Sequence, residues 1–185
     1  MAVDLWGLCR RVVALYMGLL ASACAAARIT PVGNFGDLDA TMTTVALAPQ
    51  GGLFADLVGF DLAQRGCTII DTGGTLALLV LMQKSAAELE APEVMQGLAQ
   101  RGIQAVLSID KVAGEDQGPD MARARVQATS PVAELGGIDW QNRWGKRSPV
   151  EAAHEIASAL AKQLCQSTDA APSDRSREAT ENPAP

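Results

Sequence analysis

One histidine, His154, stands among 185 residues, so any Ser-His-Asp or Cys-His relay has to run through it. It falls on an apolar-striped segment, one place after Ala153 and two before Ile156. An imidazole there marks the edge of a helix stripe rather than a general base. Metal binding needs several convergent ligands, and one histidine with scattered carboxylates is not a site. The run Asp71-Thr72-Gly73-Gly74-Thr75 is the most reactive-looking stretch, because a glycine-rich turn at a helix N-terminus can offer N–H groups to an anion. It lacks the lysine and spacing of a phosphate-binding loop and does not match G-x-G-x-x-G. Helix capping by Asp71 or Thr72 accounts for it. Asp71, Asp110 and Asp139 all fall near strand ends, yet spacing pairs no two of them for acid–base work. These residues predict a protein without catalytic residues, metal or cofactor.

The four cysteines, Cys9, Cys24, Cys67 and Cys165, are too widely spaced for a zinc motif. Cys24 belongs to an N-terminal pattern. Arg10 and Arg11 precede an uncharged apolar run over 12–20, followed by the small residues Ala21, Ser22, Ala23, Cys24 and Ala25. The run is shorter than the ~20 residues of a membrane span and has the length of a signal h-region. Residues 1–23 are therefore expected to be a secretory signal. Leu20-Ala21-Ser22-Ala23-Cys24 resembles the lipobox of bacterial lipoproteins, which implies acylation of the Cys24 thiol. Ala21 stands where leucine is usual, and ordinary cleavage after Ala21-Ser22-Ala23 is the competing mode. A twin-arginine signal is a lesser alternative. Ala25, rather than Asp, after the cysteine implies the outer membrane by the same resemblance. In an oxidising envelope compartment the remaining thiols, Cys67 and Cys165, become a candidate disulfide.

Charge narrows the partners. The chain carries 15 Lys and Arg against 21 Asp and Glu, a net −6. With no basic run it is a poor ligand for nucleic-acid phosphates. Hydrophobic residues make up 48% and aromatics only 4%, so one core is affordable in material but must be built from small side chains. The exception in charge is DWQNRWGKR, where Trp144 lies among Arg143, Lys146 and Arg147. That makes those four residues a candidate contact surface toward a membrane or partner.

The elements that would position these residues follow from periodicity. Residues 24–40 read as a lipidated N-terminus and extended linker, with Pro31, Gly33 and Gly36. TTVALA at 43–48 reads as a strand. Residues 53–64 show helical spacing through Leu53, Leu57 and Phe60, with Phe54 and Val58, and Gly66 closes that helix. Residues 67–70 form a second strand. Next come an apolar helix from about Thr75, carrying Leu76, Leu78, Leu79, Leu81 and Met82, and a helix opened by Pro92 and closed by Gly102. Residues 103–112 are a strand. Residues 121–128 alternate Ala122, Ala124, Val126 and Ala128 with Arg123, Arg125 and Gln127, the mark of a strand with one wet face. A strand over 132–140, interrupted by Gly136-Gly137, leads to a last helix. Ser148 caps that helix and Pro149 opens it, with Val150, Ala153, Ile156, Ala157, Leu160 and Leu164 as its stripe. The predicted fold is a single α/β domain over 41–165, order β-α-β-α-β-β-β-α with a short extra helix at Pro92. Its helices pack on a small mixed sheet. Residues 166–185 are expected to be a disordered acidic-polar tail.

Three pieces carry a wider resemblance: VALAPQGGLFADLVGFDLAQRGCTIID, RGIQAVLSIDKV and DWQNRWGKRSPVEAAHEIASALAKQL. They resemble envelope lipoproteins of the CsgG-like and PelC-like group, whose domain is similar to the N-terminal domain of TolB. The long strand insertions of the curli channel are missing, so pore formation is not implied. What the resemblance implies is a non-enzymatic, lipid-anchored protein on the periplasmic face of the outer membrane. It would form a homo-oligomer or join other envelope proteins in secretion or surface-structure biogenesis. The alternative is a monomeric periplasmic module that regulates an enzyme or holds a small ligand near Gly73-Gly74.

Overall fold

The computed structural model describes residues 27–33, 44–114, 118–142 and 147–165. Six strands form one mixed sheet: β1 (Arg28–Val32), β2 (Thr44–Leu47), β3 (Thr68–Ile70), β4 (Ala105–Gly114), β5 (Gly118–Thr129) and β6 (Val132–Gln141). Among the described residues four α-helices accompany it: α1 (Gly52–Gln64), α2 (Thr72–Leu81), α3 (Pro92–Ala99) and α4 (Pro149–Leu164). The spatial order is β1-β6-β5-β4-β2-β3. β2 runs parallel to both β3 and β4, as expected of strands joined through helices, and β4, β5 and β6 form an antiparallel meander.

Alternation along the strands divides the core in two. Val45, Leu47, Ala105, Leu107, Ala122, Ala124, Val126, Ile138 and Trp140 pack with α1 and α4. Ala46, Ala48 and Val106 pack on the opposite face with α2 and α3, through Leu79, Val94, Met95 and Leu98. The small side chains predicted for the core gather on α4: Ala152, Ala153, Ala157 and Ala161 share one core cluster with Ala122 and Ala124 of β5. α1 comes close to the sheet at Gly59, where a Cβ would collide with the Leu47 side chain and press on Ile69.

Two expectations need correction. Residues 28–32 are extended but are not a linker: β1 pairs antiparallel with the whole end of β6, from Arg28 opposite Gln141 to Val32 opposite Gly137. The helical spacing of Leu53, Leu57 and Phe60 marks the outer face of α1, while Phe54, Ala55, Val58 and Leu62 are buried. α1 is apolar nearly all round, so periodicity could not choose a face. Val150 likewise is exposed, although the rest of its predicted stripe is buried. Gly136 does sit at a bulge: Val126 pairs with Gly136 and Gln127 with Glu134, leaving Leu135 between.

The caps follow the sequence closely. Asp71 Oδ1 accepts from Gly74 N at 2.6 Å and opens α2 three residues earlier than its apolar run suggested. At α4, Glu151 N donates to Ser148 Oγ at 3.2 Å, and Ser148 N donates to Glu151 Oε2 at 2.9 Å. A matching box joins Ser85 and Glu88. The Ser148 backbone and hydroxyl bonds hold the Glu151 carboxyl below the ordinary glutamate range, and the Ser85 bonds do the same for Glu88. A depressed folded-state pKa stabilises above the unfolded value, and the contribution disappears as pH falls through the folded one. Urea midpoints measured from neutral pH down through the acid side of that range should therefore fall more steeply in wild type than in Glu151→Gln. Parallel curves would remove the cap as a source of acid sensitivity.

Candidate functional site

No described helix is long and apolar enough to cross a membrane, and no cluster of metal ligands occurs among the described residues. Three N–H groups around the Gly73-Gly74 turn are bonded internally. Thr72 N donates to Asp56 Oδ1 at 2.9 Å, Gly74 N to Asp71, and Thr75 N to the Asp71 carbonyl at 2.9 Å. With these N–H groups occupied, an anion has little to bind.

His154 is 62% exposed on α4, with Nδ1 2.8 Å from Asp61 Oδ2 on α1. Arg65 Nη2 lies 3.9 Å from the same oxygen. Neither approach is aligned as a hydrogen bond. Ser158, one turn beyond His154, accepts from Arg65 Nη2 at 2.6 Å. The hydroxyl is thus engaged by a guanidinium, and the group reads as a clasp between two packed helices.

That clasp aligns α1 and α4 in the same direction, which brings their C-terminal ends together. Cys67 follows α1 and Cys165 ends α4, and their Cα atoms lie 5.6 Å apart across a sequence separation of 98. This spacing suits a disulfide.

Trp140 is fully buried, and its Nε1 donates to Glu155 Oε2 at 2.7 Å. Arg147 Nη2 stands 3.5 Å from the other carboxylate oxygen of Glu155. One glutamate thus ties the end of β6 to the start of α4. Sequence reasoning missed Glu155, because nothing local marks a residue 15 positions from its tryptophan. Of the predicted contact surface only Arg147 is described. Arg143, Trp144 and Lys146 lie outside the described residues, as does Cys24.

Polar residues gather on the open face of the meander. Ser108, Asp110, Arg125, Gln127 and Glu134 line a shallow cleft of about 180 Å³, and Arg123 pairs with Asp139 at 2.7 Å across the strands. The surface that departs most from a soluble domain lies elsewhere. Leu53 is 84% and Phe60 67% exposed on α1, with Leu57 beside them; Leu76, Val80 and Leu81 are exposed on α2. α2 carries no charged residue, and the α1 carboxylates are turned to internal partners, Asp56 to Thr72 and Asp61 to His154 and Arg65.

No family model and no curated protein matches the chain. Among solved structures, a PelC dodecamer from Paraburkholderia phytofirmans aligns with TM-score 0.46 and 10% identity, covering 75% of this chain and 97% of that one. A point-substituted PelC dodecamer from the same organism aligns with TM-score 0.41 and 13% identity, covering 75% and 98%. The likeness is distant, and function has to be sought in the chain's own surfaces.

Proposed function

We propose that this protein is a non-enzymatic, lipid-anchored subunit of the bacterial cell envelope that works by assembling with itself or with other envelope proteins. The observation that carries the assembly reading is the pair of bare apolar faces on α1 and α2, where a monomeric domain would place charge. The signal-like N-terminus with Cys24 after its apolar run supports export and acylation. The approach of Cys67 to Cys165 suits an oxidising compartment. The PelC-like resemblance of the sequence pieces agrees, since that group commonly forms rings or accessory platforms at the outer membrane.

The anchor is tested at its own residue. Cys24→Ser should abolish incorporation of labelled palmitate and release or stall the protein, while wild type labels and sediments with outer membranes. A wild-type protein found soluble in the periplasm with an unmodified N-terminus would refute anchoring.

A further inference from the structure

β1 begins at Arg28, and only residues 25–27 separate it from Cys24. Four Cα steps span at most about 14 Å. On the anchored reading proposed above, on which this inference rests, the acyl chains of Cys24 hold Arg28 within that distance of the lipid headgroups. Arg28 also opens a row that crosses four strands. It pairs with Gln141 of β6, Gln141 with Met121 of β5, and Met121 with Val112 of β4. Side chains directly opposite one another share a face. On that face the core of α2 and α3 reaches Val106 of β4, and Val112, three alternations further on, is bare. All four members of the row are exposed, and two are large and apolar: Val112 is 61% and Met121 46% exposed. The row lies at one end of the sheet. Ala133, near the start of β6, is roughly 25 Å along the strand from Gln141.

We infer that this end of the domain seats on the membrane, with Val112 and Met121 among the headgroups and Arg28 and Lys111 beside anionic phospholipid. The length of chain selects the occupant: the anchor delivers this end of the sheet, and not the other, to the bilayer. Charge agrees. Arg28 and Lys111 are exposed cations in a chain of net charge −6, and basic side chains are drawn to anionic headgroups while their stems lie along apolar surface. In the next row Asp110 stands opposite Arg123, so among the described residues of these rows on β4 and β5 Asp120 is the carboxylate set against the two cations. Two points of hold, the acyl chains and the row, would fix the tilt of the domain instead of letting it swing from its anchor. The turn between β5 and β6 would then point away from the lipid.

The experiment uses the full chain, expressed with its own N-terminal segment and reconstituted into vesicles of phosphatidylethanolamine and phosphatidylglycerol. A spin label is placed through Val112→Cys or, as the control at the far end, through Ala133→Cys, and the signal of the parent chain is subtracted. Both positions are exposed, so folding should survive; Met121→Cys is the replacement if Val112→Cys fails to melt cooperatively. On reconstitution, collisions of the label at position 112 with a water-soluble nickel chelate should fall several-fold and collisions with oxygen should rise. The label at position 133 should change in neither. A label at 112 that stays as open to nickel as the one at 133 overturns the inference. So does one whose motion slows with no gain in oxygen, which marks a protein contact instead. Palmitate labelling of the same preparation separates the two readings: acylated protein with a wet position 112 keeps the anchor and loses the seat, whereas protein without an acyl chain loses both.

Discussion

Trp140→Ala should lower the stability of the domain by about 3–5 kcal/mol, the scale for removing a buried aromatic side chain. The ring is fully buried against α4, and its loss also frees one oxygen of Glu155 from the Trp140 indole N–H. Trp140→Phe separates these contributions. It retains most of the ring while discarding the N–H, so it should cost clearly less than alanine. Urea unfolding of the three proteins reads the order directly. Equal losses for Phe and Ala would mean that the hydrogen bond to Glu155, rather than the ring, secures the end of β6. An unaffected alanine variant would contradict the packing outright.

Cys165→Ser should be the second severe change. A bridge between Cys67 and Cys165 closes a loop spanning a separation of 98, and the chain-entropy treatment gives about 4–5 kcal/mol for a loop of that size. The expected result is a lowered urea midpoint in the variant, matched by wild type only after reduction. Dithiothreitol should then have no effect on Cys165→Ser. If unreduced, denatured wild type takes up a thiol reagent at both cysteines, the pair is open and this expectation fails.

Most of the fold could be read where one residue type has one physical use. Ser148 and Pro149 announced α4, Gly66 and Gly102 ended helices at positive φ, and alternation on β5 correctly separated buried alanines from exposed arginines. What escaped was decided at a distance. β1 contains Pro31 and borders Gly33, and it has no alternation of its own; β6 makes it a strand. α1 and α2 are apolar on too many sides for periodicity to choose a face. Their outward leucines, part of the apolar runs noted in the sequence, instead form the proposed contact surface. On α1 the apolar composition was therefore legible and the buried face misread, while the contact surface expected around Trp144 lies, apart from Arg147, outside the described residues.

The pairing of β1 with β6 also sets an order of events. Arg28 finds its partner only at Gln141 and Val32 at Gly137, so the first strand of the domain cannot settle until its last strand exists. Such remote pairing carries a large loop-closure cost and belongs to the slow part of folding. The parallel strands β2, β3 and β4, with α1 to α3 between them, lie within a much shorter stretch of chain. A chain emerging from its N-terminus must keep its leading segment waiting while that middle organises, then admit it last as an edge strand.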